Sequence, residues 1–398
     1  MSFADLGVSR PVADALEKRD IVAPFPVQKL VIGDVLAGHD VLVQSPTGSG
    51  KTLAFGVPIV ERLKPGDRKP GALVLVPTRE LAVQIVDELR DLGQSRGLSI
   101  APVYGGVGIE KQAKRAANAH IVVATPGRLE DLLQRRALNL EHIGILVIDE
   151  ADRMLDMGFK PAVDRIVERT PRERQTLFCS ATLEAAAGKL ARAYTHDARR
   201  HVHEPQAADV GEVRHRFVHL VHEAKVDALV AELRDSERGR TLVFVRTKRG
   251  ADRLVKRLNK NRVAALAMHG NKSQSQRQKA LGRFAKGDVD TLVATDVAAR
   301  GVDVEDITHV INFDAPGDRD AYVHRVGRTA RAGRDGTGIS FILPEQAAEM
   351  GQIAAGLGLS PEFDHGRPVH VGRQTAPAAR RPHRHRNHRR ASGRRTYR

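Results

Sequence analysis

The stretch Val41-Leu-Val-Gln-Ser-Pro-Thr-Gly-Ser-Gly-Lys-Thr52 decides the fold of the first half of the chain. Its first four residues form a β-branched run that predicts a buried strand, and a helical pattern begins at its end. Between the two, Gly48 and Gly50 let the backbone curl so that its N–H groups face an anion at the positive end of the helix. A glycine-rich turn before a helix is the simpler interpretation, but Gly-Lys-Thr in this setting favours a phosphate-binding loop.

Similar short apolar runs recur along the chain and alternate with amphipathic stretches such as Thr78–Gly93 and Gly127–Arg135. This alternation is typical of βαβ units around a parallel sheet. The rhythm breaks at the polar segment His196–Glu212 and then resumes, which favours two doubly wound α/β domains over one large sheet. The predicted strands are Val41–Gln44, Ala72–Val76, Ile121–Ala124, Ile145–Ile148 and Thr176–Cys179, then Thr241–Val245, Ala264–Met268, Thr291–Ala294, Thr308–Ile311 and Gly338–Ile342.

The 398-residue chain has a formal net charge of +16, and its basic excess is concentrated at one end. Eleven arginines and no acidic residue lie between Gly366 and Arg398. A basic excess indicates nucleic acid or an anionic membrane surface as the partner. The segment has no apolar stripe for membrane insertion and too little apolar content to fold alone, so we expect a disordered tail that binds nucleic acid.

The remaining composition bears on the compartment. A single cysteine, Cys179, excludes a disulfide framework and a cysteine metal cluster, and is typical of a reducing environment. No apolar run approaches the length of a membrane span, and the first residues lack the layout of a secretory signal. These features predict a cytoplasmic protein without membrane contact.

The acidic motif Asp149-Glu-Ala-Asp152 follows the predicted strand Ile145–Ile148. Ligands of an open α/β sheet gather beyond the carboxyl ends of its strands, so this motif and the phosphate loop should face one crevice. Asp149 and Thr52 are then placed to hold Mg²⁺, and Glu150 to orient or deprotonate the attacking water. Lys51 supplies a positive charge for the β- and γ-phosphates. An acidic cluster after a strand is often only a helix N-cap, an interpretation that the neighbouring phosphate loop disfavours.

These two motifs and the blocks that follow them resemble the DEAD-box RNA helicases over residues 3–345. The resemblance implies two tandem RecA-like domains, ATP as the substrate that drives the protein, Mg²⁺ as its metal, and RNA as its partner. The further matching blocks, in the family order, are Pro77-Thr-Arg-Glu-Leu-Ala82, Gly105-Gly106, Thr125-Pro-Gly-Arg128, Ser180-Ala-Thr182, Gln274 with Arg277, Ala294-Thr-Asp-Val-Ala-Ala-Arg-Gly-Val-Asp303 and His324-Arg-Val-Gly-Arg-Thr-Ala-Arg331.

The resemblance also assigns roles to single residues. Ser180 and Thr182 would couple hydrolysis to strand separation, and Arg328 with Arg331 would be arginine fingers that reach the γ-phosphate from the second domain. Taken alone, Gly105-Gly106 and Thr125–Arg128 would pass for ordinary turns, and the segment of Arg328 and Arg331 for a solvated helix face. The residues expected to contact RNA are Pro77, Thr78, Arg79, Gly105, Gly106, Thr125, Pro126, Gly127, Arg128, Gln274, Arg277 and Thr295.

Recognition of adenine is where the sequence departs from the family pattern. Gln28 stands at the family spacing and could bind the adenine edge with its amide. Asp20-Ile21 replaces a glycine–aromatic pair, however, and Phe25 stands where threonine is usual. Preference for ATP is therefore less secure than phosphate binding. The residues expected to contact the nucleotide are Ile21, Gln28, Ser45, Thr47, Gly48, Ser49, Gly50, Lys51, Thr52 and Asp303.

The function predicted is RNA-stimulated ATP hydrolysis coupled to closure of two RecA-like domains on RNA, largely independent of RNA sequence and without a stable protein partner. The predicted domains are 1–205, a linker at 206–213, a second domain at 214–362, and the disordered arginine-rich tail at 363–398. Two alternatives remain: a DNA-translocating helicase on the same fold, and a non-catalytic RNA-binding scaffold. Lys51, Glu150 and Arg328 together argue against the scaffold. The sequence does not identify the RNA.

Overall fold

The structure is a computed structural model that describes residues 1–46, 48–181, 183, 185–203, 211–235, 238–299, 304, 306–330 and 333–364. Its strands are β1 Val41–Gln44, β2 Ala72–Leu75, β3 Ile100–Val103, β4 Ile121–Ala124, β5 Ile145–Ile148, β6 Gln175–Ser180, β7 Arg199–Val202, β8 Val213–His219, β9 Arg240–Phe244, β10 Leu266–Met268, β11 Thr291–Ala294, β12 Ile307–Asn312 and β13 Gly336–Ile342.

The α-helices separate these strands along the chain. They are α1 Arg10–Glu17, α2 Pro26–Leu36, α3 Lys51–Arg62, α4 Arg79–Ser95, α5 Ile109–Ala117, α6 Pro126–Gln134, α7 Ala151–Asp156, α8 Lys160–Val167, α9 Ala185–Tyr194, α10 Lys225–Leu233, α11 Lys248–Lys260, α12 Gln274–Ala285, α13 Asp296–Ala299, α14 Arg319–Val326, α15 Ala347–Gly356 and α16 Ser360–Asp364.

The first seven strands form one parallel sheet in the order β3-β4-β2-β5-β6-β1-β7. Its central strands are buried on both faces, because helices cover each side. In β2, for example, Ala72 and Val74 pack into one apolar cluster while Leu73 and Leu75 pack into the other. This explains why the strands are continuous apolar runs rather than alternating ones.

The other six strands form a second parallel sheet in the order β10-β11-β9-β12-β13-β8. Each of its faces again carries an apolar cluster, with Val243 and Ile311 on one side and Leu242 and Val310 on the other. Two sheets with separate cores confirm the predicted pair of doubly wound domains and exclude the single large sheet. All ten predicted strands are present within two residues of their expected ends.

Sequence patterns missed three strands for identifiable reasons. Strand β3 contains Pro102, which argues against a strand unless it lies at a sheet edge, and β3 is an edge strand. The other two, β7 and β8, are also edge strands and are mostly polar, so neither presents a fully apolar run. They lie on either side of residues 204–210, which are outside the described ranges and include most of the predicted linker, 206–213.

The first two residues of the predicted tail, Phe363 and Asp364, lie in the last helix. Helix α16 extends to Asp364, and the Phe363 ring packs edge-on against Phe217 and His219 at centroid distances of 5.5 and 5.0 Å. Those apolar contacts hold the helix against β8. Residues 365–398, which carry all eleven arginines of the predicted tail, lie outside the described part of the chain. Within the described part, no helix is both long and apolar enough to cross a membrane.

Candidate nucleotide and RNA site

The sequence motifs are sorted by their position along the first sheet. The phosphate loop, the acidic motif and Ser180 follow β1, β5 and β6, which are neighbours in the sheet. The segments predicted to bind RNA, at Pro77, Gly105 and Thr125, follow β2, β3 and β4, which form the other half. Because all the strands are parallel, every one of these segments lies at the same edge. One edge thus carries two halves, which we call the nucleotide half and the RNA half after the ligands that the sequence predicts for them.

The phosphate loop is held in shape by its own residues. Gly48 and Gly50 have φ angles of 83° and 88°, in the left-handed region that favours glycine. The buried Lys51 ammonium donates to the carbonyl oxygen of Ser45 at 2.6 Å and to that of Pro46, so it lies inside the loop. The Ser45 hydroxyl donates to the Ser49 hydroxyl at 2.6 Å. Thr47 lies outside the described residues, and Thr52 follows Lys51 in the first turn of α3.

The acidic motif combines a perturbed carboxyl group with a strained backbone. Burial raises the pKa of Asp149 to about 7, against the opposing effect of the nearby Lys51 charge. Glu150 has a φ angle of 53°, an unfavourable left-handed conformation for a residue with a side chain, which is often found at functional sites. Its carboxylate forms a buried ion pair with Arg153 on the first turn of α7. Asp152 accepts a hydrogen bond from the Ala181 amide at 3.0 Å.

That last bond joins the acidic motif to the predicted coupling segment. The backbone of Ser180 is tied to the phosphate loop as well, since its carbonyl accepts from the Ser45 amide at 3.0 Å. Thr182, the other predicted coupling residue, lies outside the described residues. Cys179, the single cysteine of the sequence, is buried in β6. Burial raises the pKa of its thiol far above the ordinary value, so Cys179 is an inert core residue.

The base end of the nucleotide site is built differently. Gln28 is fully buried: its Oε1 accepts from the Phe25 amide at 2.9 Å and its Nε2 donates to the Gly50 carbonyl at 3.0 Å. Gln28 therefore joins α2 to the phosphate loop. Phe25 is 56% exposed and lies against Gly50, where a Cβ would be 3.0 Å from its ring. Ile21 is partly buried against the core, and Val22 is 69% exposed.

The predicted RNA segments of the first sheet contact one another. The Arg79 guanidinium lies over Gly105 and Gly106, and a Cβ at Gly106 would collide with its Nη1. Arg128 reaches back to the Val107 carbonyl at 3.1 Å. The position of Arg79 explains Gly105 and Gly106, because its guanidinium occupies the space that side chains at these two positions would need. Of the remaining predicted RNA contacts, Thr78 caps α4 and Thr125, Pro126 and Gly127 open α6.

The second domain contacts this RNA half through the carboxylate of Glu80, a residue to which the sequence analysis assigned no role. Gln274 Nε2 and Arg277 Nη2, both on α12, lie 3.2 and 3.0 Å from Oε1 of Glu80. All three side chains are buried, and burial lowers the pKa of the Arg277 guanidinium while Glu80 opposes the shift. Glu80 lies within the quoted Pro77–Ala82 block but received no role. Thr295, at the end of β11, is buried and donates its amide to the Met268 carbonyl at 3.4 Å.

The second domain also meets the nucleotide half of the first sheet, at a cavity of about 240 Å³. Arg153 lines it from the first domain, and Arg325 and Arg328 line it from the second. Arg325 forms a bidentate ion pair with Asp296 and donates to the Asp314 carbonyl at 2.7 Å, which fixes the end of α14 just before Arg328, a predicted arginine finger. Sequence reasoning missed Arg153 and Arg325, although both lie in or beside the quoted motifs. Asp303 and Arg331 lie outside the described residues.

Comparisons with known proteins agree with this geometry. Residues 25–190 match the family model of the DEAD/DEAH box helicases, and residues 224–333 match the helicase conserved C-terminal domain. The chain is 39% identical over 353 residues to the DEAD-box ATP-dependent RNA helicase CshA of Geobacillus kaustophilus, covering 88% of this chain and 76% of that one. It is 42% identical over 355 residues to CshA of Streptococcus pneumoniae, covering 89% and 67%.

Solved structures give the same result for the fold. The chain superposes on S. cerevisiae Dbp5 bound to RNA and ADP BeF3 with a TM-score of 0.79 at 28% identity, covering 90% of this chain and 94% of that one. A DEAD box protein from Methanococcus jannaschii gives a TM-score of 0.52 at 36% identity, covering 90% and 98%. Family models over both domains and relatives at this identity place the protein: the chain belongs to the DEAD-box family of ATP-dependent RNA helicases.

Proposed function

We propose that this chain binds ATP and RNA in the cleft between its two sheets and couples hydrolysis to opening and closing of that cleft. The observation that carries the proposal is that the two domains meet at two places, one in the predicted RNA region and one in the predicted nucleotide region. Glu80 joins Gln274 and Arg277 on the RNA side, while Arg153 and Arg328 line one cavity on the nucleotide side. An RNA strand and a nucleotide held there would each contact both domains, so binding of either favours the closed arrangement.

Superposition supports this arrangement as the productive one. The TM-score over both domains is higher against Dbp5 with RNA and ADP BeF3 than against the M. jannaschii protein, although sequence identity is lower. The relative position of the two sheets therefore resembles the one that Dbp5 has with those ligands. We infer that closure brings the Arg328 guanidinium to the γ-phosphate held by Lys51, with Glu150 orienting water.

The residues present also fit Mg²⁺. Asp149 is a buried carboxylate whose pKa is raised by burial, and an additional cation would favour its charged form. Thr52, in the first turn of α3, and Asp149, directly after β5, would hold the ion. When bound, the metal neutralises charge on the β- and γ-phosphates. This chain's own residues then supply position: Lys51 at the phosphates and Glu150 at the water.

On the RNA side we propose recognition of the sugar-phosphate backbone. Two buried polar atoms at this edge, Gln274 Oε1 and Arg277 Nε, have no hydrogen-bond partner among the described residues and are candidates for contact with RNA. A chain without tryptophan and with 4% aromatic residues offers few stacking platforms for bases. Discrimination against DNA would rest on contacts to the 2′-hydroxyl. The arginines between Gly366 and Arg398 would add phosphate contacts outside the described part of the chain.

The test is an ATPase assay with RNA, with DNA of the same sequence and with no nucleic acid, run on the wild type and on Lys51→Ala. We expect stimulation by RNA alone, and loss of both nucleotide binding and turnover in the variant. Equal stimulation by DNA would favour the DNA-translocating alternative. RNA binding without any turnover in the wild type would favour the scaffold.

A further inference from the structure

Helix α11 carries a stripe of five cations that belongs to none of the motifs discussed above. Between residues 246 and 262 the sequence has eight Lys or Arg and a single acid, Asp252. The stripe consists of Arg249, Arg253, Lys256, Arg257 and Lys260, all of them exposed.

Helical geometry places these side chains together. Positions 249, 253, 256, 257 and 260 are related by steps of three and four, so all five project from one face. The opposite face holds Ala251, Leu254 and Leu258, which are buried in the core of the second sheet. With the apolar face packed on the sheet, the stripe points to solvent along a length of about 16 Å, at 1.5 Å per residue.

The stripe is not neutralised by its surroundings. Asp252 lies to one side of it and is paired instead with Lys272 and His269, at 2.9 and 3.1 Å. Within the described ranges, none of the five cations forms an ion pair. Like charges at helical spacing repel one another, so an uncompensated stripe weakens the helix slightly. A polyanion that lies along the stripe would remove that cost.

The position of the stripe identifies the polyanion. Helix α11 follows β9 and so begins at the ligand edge of the second sheet. Lys248, in its first turn, donates to Asn271 Oδ1 at 3.2 Å. Asn271 lies in the loop that leads into α12, the helix of Gln274 and Arg277. The stripe therefore starts beside the proposed RNA cleft and runs away from it along the outside of the domain.

We propose that the exposed face of α11 is a second RNA track, which binds the phosphates of the RNA segment next to the one held in the cleft. The proposal rests on RNA being the substrate and adds a surface outside the shared motifs. Such a track would raise affinity for RNA longer than the cleft can hold, without taking part in hydrolysis. An acidic protein surface could also bind a basic stripe, but the direct continuation from the RNA edge favours RNA.

The experiment measures RNA affinity at several salt concentrations for Arg253→Ala/Arg257→Ala. Each lost contact with a single strand should reduce the slope of log affinity against log salt by about 0.7, so the double variant should lose about 1.4. The matched control is Arg169→Ala/Arg172→Ala, which removes two exposed arginines just before β6, at the opposite edge of the first sheet. Both proteins are tested with an RNA that fills only the cleft and with a longer one.

We expect the stripe variant to lose slope and affinity on the long RNA alone, with an unchanged ATPase rate at saturating RNA. The double Lys variant at the same positions should behave as the wild type, since the charge is kept. An unchanged slope on the long RNA, or the same loss in the control pair, would overturn the proposal and leave a solvated face. If RNA does not stimulate the wild-type ATPase, the proposed function itself fails, and this proposal with it.

Discussion

The two ends of the nucleotide site are built on opposite plans. At the phosphate end the functional groups are buried and contact one another: Lys51 with the Ser45 carbonyl, Glu150 with Arg153. At the base end the surface is apolar and exposed at Phe25, which stands where the family usually has threonine, and at Val22. Charge stabilisation depends on groups fixed in advance, whereas an apolar contact tolerates many shapes. The phosphate end should therefore control turnover, and the base end only affinity and the choice of nucleotide.

The largest effect should come from Arg328→Ala. Removing an arginine finger lowers the turnover of related NTPases by about 10³-fold or more, because the transition-state charge loses its counter-charge. We expect loss of RNA-stimulated hydrolysis with ATP binding retained, measured by single-turnover kinetics and by nucleotide titration. Arg328→Lys should rescue little, since lysine lacks the planar fork. A parallel loss of binding and turnover would show that Arg328 is structural.

Next in size is Glu150→Gln. General base or water-orienting groups contribute about 10²- to 10⁴-fold, so kcat should fall at least a hundredfold while the affinity for ATP stays near normal. Glutamine keeps the shape of the side chain and can still contact Arg153, which makes it a conservative change. Retention of wild-type kcat would contradict the assigned role.

A smaller effect is expected at the contact that Glu80 of the first domain makes with Gln274 and Arg277 of the second. Glu80→Gln replaces a charged acceptor of two buried donors, and a hydrogen bond to a charged group is worth about 1.5–3 kcal/mol. The closed arrangement should weaken by roughly tenfold or more, which appears as a higher apparent KM for RNA. ATP hydrolysis without RNA should not change, because Glu80 lies on the half of the sheet away from the phosphate loop. An unchanged KM for RNA would mean that this contact does not contribute to closure.

The same contrast explains how far sequence reasoning reached. The phosphate loop and Asp149–Asp152 were predictable because their residue types, spacing and strand context all indicate one chemistry. The role of Glu80 was not predictable, because its partner Gln274 lies 194 residues away and only the fold brings the two together. The role of Arg153 was not predictable either, because the helix turn that brings it to Glu150, three residues away, is known only from the structure. Edge strands β3, β7 and β8 were missed since an edge needs no continuous apolar run. The position of the Gln28 side chain was equally hidden, because the pattern names the residue and not what its amide contacts.

The smallest effect, and the one that separates the two ends most directly, is expected for Phe25. With both ends of the Gln28 amide engaged by the Phe25 amide and the Gly50 carbonyl, base binding should depend on the exposed apolar surface. Phe25→Ala should raise the KM for ATP about two- to twelvefold, which corresponds to an aromatic contact of roughly 0.5–1.5 kcal/mol, with kcat unchanged. It should raise the KM for GTP and CTP by the same factor, since an apolar contact does not distinguish bases.

The control is Val221→Ala, which changes an exposed apolar residue of the second domain. If instead the wild type strongly prefers ATP and Gln28→Ala abolishes that preference while Phe25→Ala changes nothing, then Gln28 turns toward the adenine when nucleotide binds, as the family resemblance predicts.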